Sequence, residues 1–323
     1  IEANQVIESA KFANASQNAI FIAHVVLYSL CNSIVNDEDL IKEFNKIENI
    51  LSETPEASVI LRDLNFILGD TYLIKNQYPK SLWHTLESLR LSEEMNLFDL
   101  VYASNNSIIS IIYTNIGKNK EAEVFSMECL RVSRMLKDTT YIGSTYTDIA
   151  RLKLKLKDEI QAQLYIDSAI YIMRDIKHCE LCYNSARIVN AGIKNLNKRH
   201  SEALIELNEV ELYFMERGTE PSSTFSIEKA KAYMGLYKYN EAIKAISTSK
   251  EQEQVYVITT SDKYSILVKA YEAKGDYKEA LENYRKYVQV EDSMSVLRNS
   301  SEVTRLELEN QFTRQQHKTE LAF

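Results

Sequence analysis

The sequence predicts an all-α chain, a right-handed α-solenoid of about six or seven helical hairpins followed by a long C-terminal helix. Three observations predict it. Seven Gly and three Pro in 323 residues leave few places for turns, so long helices joined by short loops are expected. Period-two alternation of apolar and polar residues, the mark of a strand, is scarce along the chain. A small residue also recurs in one role at Ser81, Ala122, Ala162, Ala203, Ala242 and Ala280, with successive differences of 41, 40, 41, 39 and 38.

Tyr264–Val288, YSILVKAYEAKGDYKEALENYRKYV, defines that role. Gly275-Asp276 ends one helix with a residue tolerant of left-handed backbone angles, and Asp276 with Glu279 forms a capping box for the next. Ala280 is small enough to let the second helix approach the first. Tyr271, Tyr277 and Tyr284 supply rings to fill the seam around it. One such hairpin cannot bury its apolar face alone, so neighbours are required.

The neighbours lie upstream. KAYMGLYKYNEAIKAI offers Tyr233, Tyr239, Ala242 and Ile246, and KRHSEALIEL offers Ala203 and Leu207. KDEIQAQLYIDSAI gives Ala162, Ile166 and Ala169, with Ala150 as the small residue of the first helix. IIYTNIGKNKEAEVF gives Tyr113, Gly117 and Ala122, and LGDTYLIKNQYPKSLWHTL gives Leu68, Gly69, Tyr72, Tyr78 and Ser81.

These offsets resemble the tetratricopeptide repeat family over about residues 60–290. Two features depart from it. The spacing exceeds the family's usual period of about 34 residues, and the proline that often closes each repeat is missing, with Gln254 and Asp292 near where it would fall. Helices longer by a turn or more would absorb the difference. The likeness is therefore to long-helix members, including peptide-sensing bacterial regulators, more than to the compact co-chaperone type. The expected organisation is N-terminal helices over 1–60, a repeat array over 61–290 and a capping or linker helix over 291–323.

At the N-terminal end, the apolar run Ala19–Leu30 is too short to span a bilayer and is interrupted by His24. It reads as the first helix of a degenerate hairpin whose second helix starts at Asn36 and carries Leu40, Phe44, Ile47 and Leu51. The chain begins with Ile1 and not Met, so a preceding segment is expected. At the other end the repeat pattern stops near Asp292. Val290, Met294, Leu297, Leu308 and Phe312 form a stripe that Ser301 and Thr304 interrupt. A terminal repeat ending Tyr287-Val288-x-x-x-Asp292-Ser293 before a polar helix is similar to bacterial membrane-tethered regulators. In those, an extracytoplasmic repeat array precedes a membrane helix and a cytoplasmic output. The alternative for the tail is a solvating helix that caps the last repeat.

Composition excludes several functions. With 38 Lys+Arg against 46 Asp+Glu the net charge is −8 and no dense basic run occurs, so phosphate-backbone binding is not expected of this chain. No P-loop, G-x-G-x-x-G, H-E-x-x-H or G-x-S-x-G is present. His24, His84, His178, His200 and His317 are scattered over different repeats. No enzyme activity and no cofactor are expected. Of the cysteines 31, 129, 179 and 182, the last two form C-E-L-C beside His178. A zinc site would need a second ligand pair, which the sequence lacks, so no metal is expected. A redox motif would want a preceding strand and a thioredoxin-like context, where a helical hairpin is expected instead, so buried structural thiols are favoured there, with a disulfide as the alternative in an oxidising compartment.

The family resemblance also implies a binding surface. First helices of successive hairpins would line the concave face, and the residue one past the small position would point into it. That gives Asp70, Ile111, Arg151, Gly192, Lys231 and Lys269. Arg151, Lys231 and Lys269 are candidates to meet a peptide carboxylate or acidic side chain, with Tyr146, Asn106 and Asn115 as hydrogen-bonding neighbours. The alternative is a solvated helix face. The Lys/Asn clamp of co-chaperone repeats is not reproduced. The expectation is thus a non-enzymatic scaffold that binds a protein or peptide, as the periplasmic sensor module of a membrane-tethered signalling or transcription-regulatory protein. A cytoplasmic peptide-responsive regulator or adaptor is the alternative. The membrane would be reached only through segments outside the chain.

Overall fold

The computed structural model describes residues 57–174, 179–247, 257–298 and 306. Among them are twelve helices and no strand. In chain order they are α1 (Ala57–Ile74), α2 (Tyr78–Glu94), α3 (Leu100–Ile116), α4 (Asn119–Leu136), α5 (Thr139–Lys155), α6 (Glu159–Met173), α7 (Glu180–Leu196), α8 (His200–Glu216), α9 (Ser223–Gly235), α10 (Tyr239–Ser247), α11 (Val257–Lys274) and α12 (Tyr277–Arg298). Taken along the chain they pair as six successive helical hairpins. Most have 15–18 residues, which supplies the length that a spacing near forty residues demanded. The hairpin expected over 19–51, Cys31 and the tail from 307 lie outside the described residues.

One local device makes all six hairpin turns. A single left-handed residue follows the first helix: Asn76, Gly117, Lys157, Lys198, Tyr237 and Gly275, with φ between 57° and 85°. Each turn carries the same two bonds. In the first, Gln77 N–H donates to the Tyr72 carbonyl at 2.9 Å and Asn76 N–H to the Leu73 carbonyl at 3.0 Å. In the last, Asp276 N–H donates to Tyr271 and Gly275 N–H to Glu272, both at 2.9 Å. This pairing across five and three residues is the Schellman motif, and it satisfies the carbonyls that a helix end leaves open.

The turn fixes the register of the second helix. Ser81, Ala122, Ala162, Ala203, Ala242 and Ala280 each stand fourth in that helix, and all six are buried. A small side chain there brings the two helices together. At the first hairpin Ser81 also donates its hydroxyl to the Gly69 carbonyl at 2.6 Å, and a Cβ on Gly69 would lie 2.3 Å from Thr85 Oγ1. No larger residue fits that crossing.

The described residues fall into two units whose boundary cuts α3: 57–109 with Leu306, and 110–298. In the first, Leu64, Leu68 and Tyr72 of α1 and Tyr78, Leu82, Leu86 and Leu89 of α2 are buried. The second holds three consecutive cores. Ala150, Ile166, Met173 and Val189 join α5, α6 and α7; Ile188, Leu207, Phe214 and Phe225 join α7, α8 and α9; Ile227, Ile246 and Leu267 join α9, α10 and α11. The inner first helices α7 and α9 thus each face two cores, with Val189 of α7 turned to one and Ile188 to the next. Each buried Leu, Ile, Val or Phe contributes roughly 1.5–3 kcal/mol.

Three local expectations need correction or refinement. Tyr277 and Tyr284 do not fill a seam: they are exposed. The four residues equivalent to Tyr284 that begin at Ser126 (Ser126, Ile166, Leu207 and Ile246) are buried, as is Thr85. Among the described residues α12 has no following hairpin to cover that side. The Asp276–Glu279 cap is only a long contact, Glu279 N–H to Asp276 Oδ1 at 3.5 Å. Finally, Cys179 and Cys182 are joined in a disulfide, not held as two buried thiols; among the described residues the buried thiol is Cys129.

Candidate functional site

The first helices α5, α7, α9 and α11 of the second unit belong to successive repeats and adjoin one another. Polar side chains bridge each adjoining pair. Arg151 of α5 donates to Asp148 Oδ1 at 2.7 Å on its own helix and to Ser185 Oγ of α7 at 2.9 Å. Asn195 of α7 donates to the Glu228 carbonyl at 2.8 Å and to Glu228 Oε2 at 3.2 Å on α9. Lys231 of α9 donates to Glu228 Oε1 at 2.8 Å and to Asp262 Oδ2 of α11 at 3.4 Å. Gly192 leaves room for this arrangement, since a Cβ there would stand 3.2 Å from the Glu228 carboxyl group.

The electrostatics are set by those contacts. Desolvation by itself would lower the Lys231 pKa, but the Glu228 and Asp262 carboxylates outweigh it and hold the ammonium above its ordinary value. Lys231 is therefore firmly charged and firmly paired. The face presents Asp148, Glu228 and Asp262 beside Arg151, Lys231 and Lys269, so its charges balance.

A second polar layer ties first helices to second helices. The buried Glu206 of α8 accepts from Lys194 at 2.7 Å and Asn190 at 3.0 Å, with Arg187 Nε at 3.6 Å, all three from α7. Lys153 of α5 pairs with Glu123 of α4 at 2.6 Å, and Lys229 of α9 with Glu211 of α8 at 2.5 Å. Burying a carboxylate such as Glu206 is tolerable only because its oxygens are met by cations and amides.

The candidate residues from the sequence are distributed unequally. Arg151 and Lys231 lie in the bridged row of first helices, and Lys269 is exposed on α11. Tyr146, also on α5, turns to the seam with the second helices: its hydroxyl accepts from Arg134 of α4 at 2.6 Å and its ring lies 5.7 Å from that of Tyr165 on α6. Asn115 is buried near the end of α3. Asn106 belongs to the first unit, buried, with its amide donating to the Tyr102 carbonyl at 2.8 Å. Sequence reasoning missed Asp148, Ser185, Asn195, Glu228 and Asp262. A signal existed, because Asp148 and Glu228 stand three residues before Arg151 and Lys231 on the same helix faces.

Among the described residues no group of three or more His, Cys, Asp or Glu side chains is placed to hold a metal ion. No described helix is long and apolar enough to cross a membrane.

Stacked hairpins with a polar row along the first helices define a helical repeat scaffold. Residues 264–293 match the family model described as Tetratricopeptide repeat. The structure is similar to that of a Rap protein complexed with competence and sporulation factor, at 14% identity and a TM-score of 0.63, over 91% of this chain and 80% of that one. It is similar also to the apo form of RapI, at 12% identity and a TM-score of 0.57, over 91% of this chain and 99% of that one. No curated protein sequence matches the chain.

Proposed function

We propose that the chain is a non-catalytic scaffold that binds a peptide or protein segment along the first-helix row of its second unit. The observation that carries this reading is the succession of polar bridges between neighbouring first helices, Asp148–Arg151–Ser185 from α5 to α7 and Asn195–Glu228–Lys231–Asp262 from α7 through α9 to α11. Such a row offers donors and acceptors at regular intervals, as an extended peptide requires. The Rap protein of similar fold was crystallised with competence and sporulation factor bound, which supports a binding role for this architecture. A periplasmic sensor module of a membrane-tethered regulator remains our reading of its setting.

The test is selection of peptides from a random library on the immobilised chain, followed by titration of a selected peptide. Arg151→Ala combined with Lys231→Ala and Lys269→Ala should weaken binding at least about tenfold, since three charge contacts at such partly exposed side chains, each worth roughly 0.5 kcal/mol, sum to about 1.4 kcal/mol. The exposed Leu212→Ala on α8 should leave it unchanged. Equal binding by the triple variant would refute the assignment of the face.

A further inference from the structure

We propose that the Cys179–Cys182 pair is a redox-exchange site, cycled between disulfide and dithiol by protein dithiols, and not a structural staple. The bond joins the N-cap residue of α7 to the third residue of the same helix. It connects no two hairpins. A loop of so few residues constrains the unfolded chain little, and constraint of that chain is the chief source of a staple's effect.

The surroundings suit exchange. Both sulfur-bearing residues are half-buried, and Glu180 and Leu181 between them are exposed, Leu181 by 59%. An incoming protein therefore meets apolar surface directly beside the bond. Thiols at a helix start are acidified by the open N–H groups of the first turn and by the helix dipole. The carboxylate between the two cysteines, Glu180, is paired with Arg217 at the C-cap of α8, so it opposes a neighbouring thiolate less than a free one would. Cys129 shows the contrasting case. It is 1% exposed, and burial pushes its thiol up to about 11, which makes it inert.

The reaction balances as a two-electron exchange. A thiolate of the protein dithiol attacks Cys179 Sγ and the Cys179–Cys182 bond breaks. Cys182 leaves as a thiolate and takes a proton from water. The dithiol's second thiolate then attacks its own sulfur in the mixed disulfide and releases Cys179, which is protonated in turn. The dithiol ends as a disulfide and the pair as two thiols. The consequence is local: Cys182 shares its turn of α7 with Ser185, which accepts the bond from Arg151.

The experiment treats the folded, air-oxidised chain with a thioredoxin-class dithiol protein, and separately with dithiothreitol at equal dithiol concentration. Samples are quenched in acid, alkylated and peptide-mapped. The expected result is joint reduction of Cys179 and Cys182 in the native state, at least about tenfold faster with the protein dithiol. Reduced Cys182→Ser protein should form a mixed disulfide through Cys179 with the oxidised form of that protein. The Cys179→Ser, Cys182→Ser variant should keep the helical spectrum and melting midpoint of the wild type. Two free thiols in the air-oxidised chain, reduction only after denaturation, or a large fall in midpoint for the double variant would each overturn the proposal.

Discussion

Lowering the pH from 7.5 to 5 should weaken the first unit by about 2 kcal/mol, and one residue should account for the loss. His84 of α2 is buried, its ring stacked on Tyr72 at 5.5 Å and met edge-on by Trp83 at 4.6 Å. Asn65 donates its amide to the Leu61 carbonyl, which leaves its Oδ1, 2.8 Å from His84 Nδ1, to accept. The neutral Nδ1–H tautomer fits that pocket and an imidazolium does not. Burial, with the Lys80 charge second, brings the pKa from 6.5 down to about 4. The unfolded chain then binds a proton that the folded chain refuses, so stability is full above about pH 6.5 and falls as pH drops toward 4. At about 1.4 kcal/mol per pH unit, the loss is about 2 kcal/mol at pH 5 and about 3 kcal/mol by pH 4. Urea unfolding followed by the emission of Trp83, the one tryptophan of the chain, reads this unit directly. His84→Gln, which keeps a donor for Asn65, should flatten the dependence between pH 7.5 and 5. An equal slope in wild type and variant would refute the reasoning.

Other outcomes rest on particular contacts. Glu206→Ala strands Lys194, whose side chain is only 20% exposed, while Arg187 keeps its pair with Glu209; full burial would cost about 3–5 kcal/mol, and partial exposure with one cation still paired reduces this to about 1–2 kcal/mol in urea midpoints. Glu202→Ala on the same helix removes only an exposed pair with Arg199 and should not move the midpoint. Gly69→Ala drives a Cβ to 2.3 Å from Thr85 Oγ1, a hydroxyl already committed to the Ser81 carbonyl, and overpacking of this kind should cost about 1–3 kcal/mol in thermal unfolding. Lys198→Gly relieves a left-handed residue at φ 59°. That relief of about 1–2 kcal/mol exceeds glycine's entropic cost of about 0.5–1 kcal/mol, so the variant should melt at or above the wild-type midpoint.

The repeat was legible because packing leaves little choice where two helices touch. Only Ser, Ala or Gly fits the crossing, so the anchors at 81, 122, 162, 203, 242 and 280 stood out and are all buried. The turns were less legible for an energetic reason. A left-handed Lys, Asn or Tyr costs only about 1–2 kcal/mol, well within what a packed hairpin tolerates, so glycine marks just Gly117 and Gly275 among the six hairpin turns. The polar bridges were less legible. Arg151 and Lys231 could be placed on the first helices by register, but partners of theirs come from the next repeat, 34 residues on for Arg151 and Ser185 and 31 for Lys231 and Asp262. Local pattern reading does not reach so far.

Those partners change what the face asks of a ligand. A row of unpaired cations would attract any acidic segment and lose it steeply with salt. Here Arg151 is held by Asp148 and Lys231 by Glu228 and Asp262, so an incoming carboxylate must compete with carboxylates already in place. Each exchange returns only the difference between two similar contacts, less the entropy of ordering the ligand. A segment carrying both signs fares better, because its ammonium or guanidinium can take up the carboxylate that its own acid displaces. Binding to this face is therefore expected to select by the order of charges along the peptide more than by net charge. Reversing the charge order of a selected peptide at fixed composition should weaken it more than raising the salt, and the opposite ranking would show that the paired row does not make the contact.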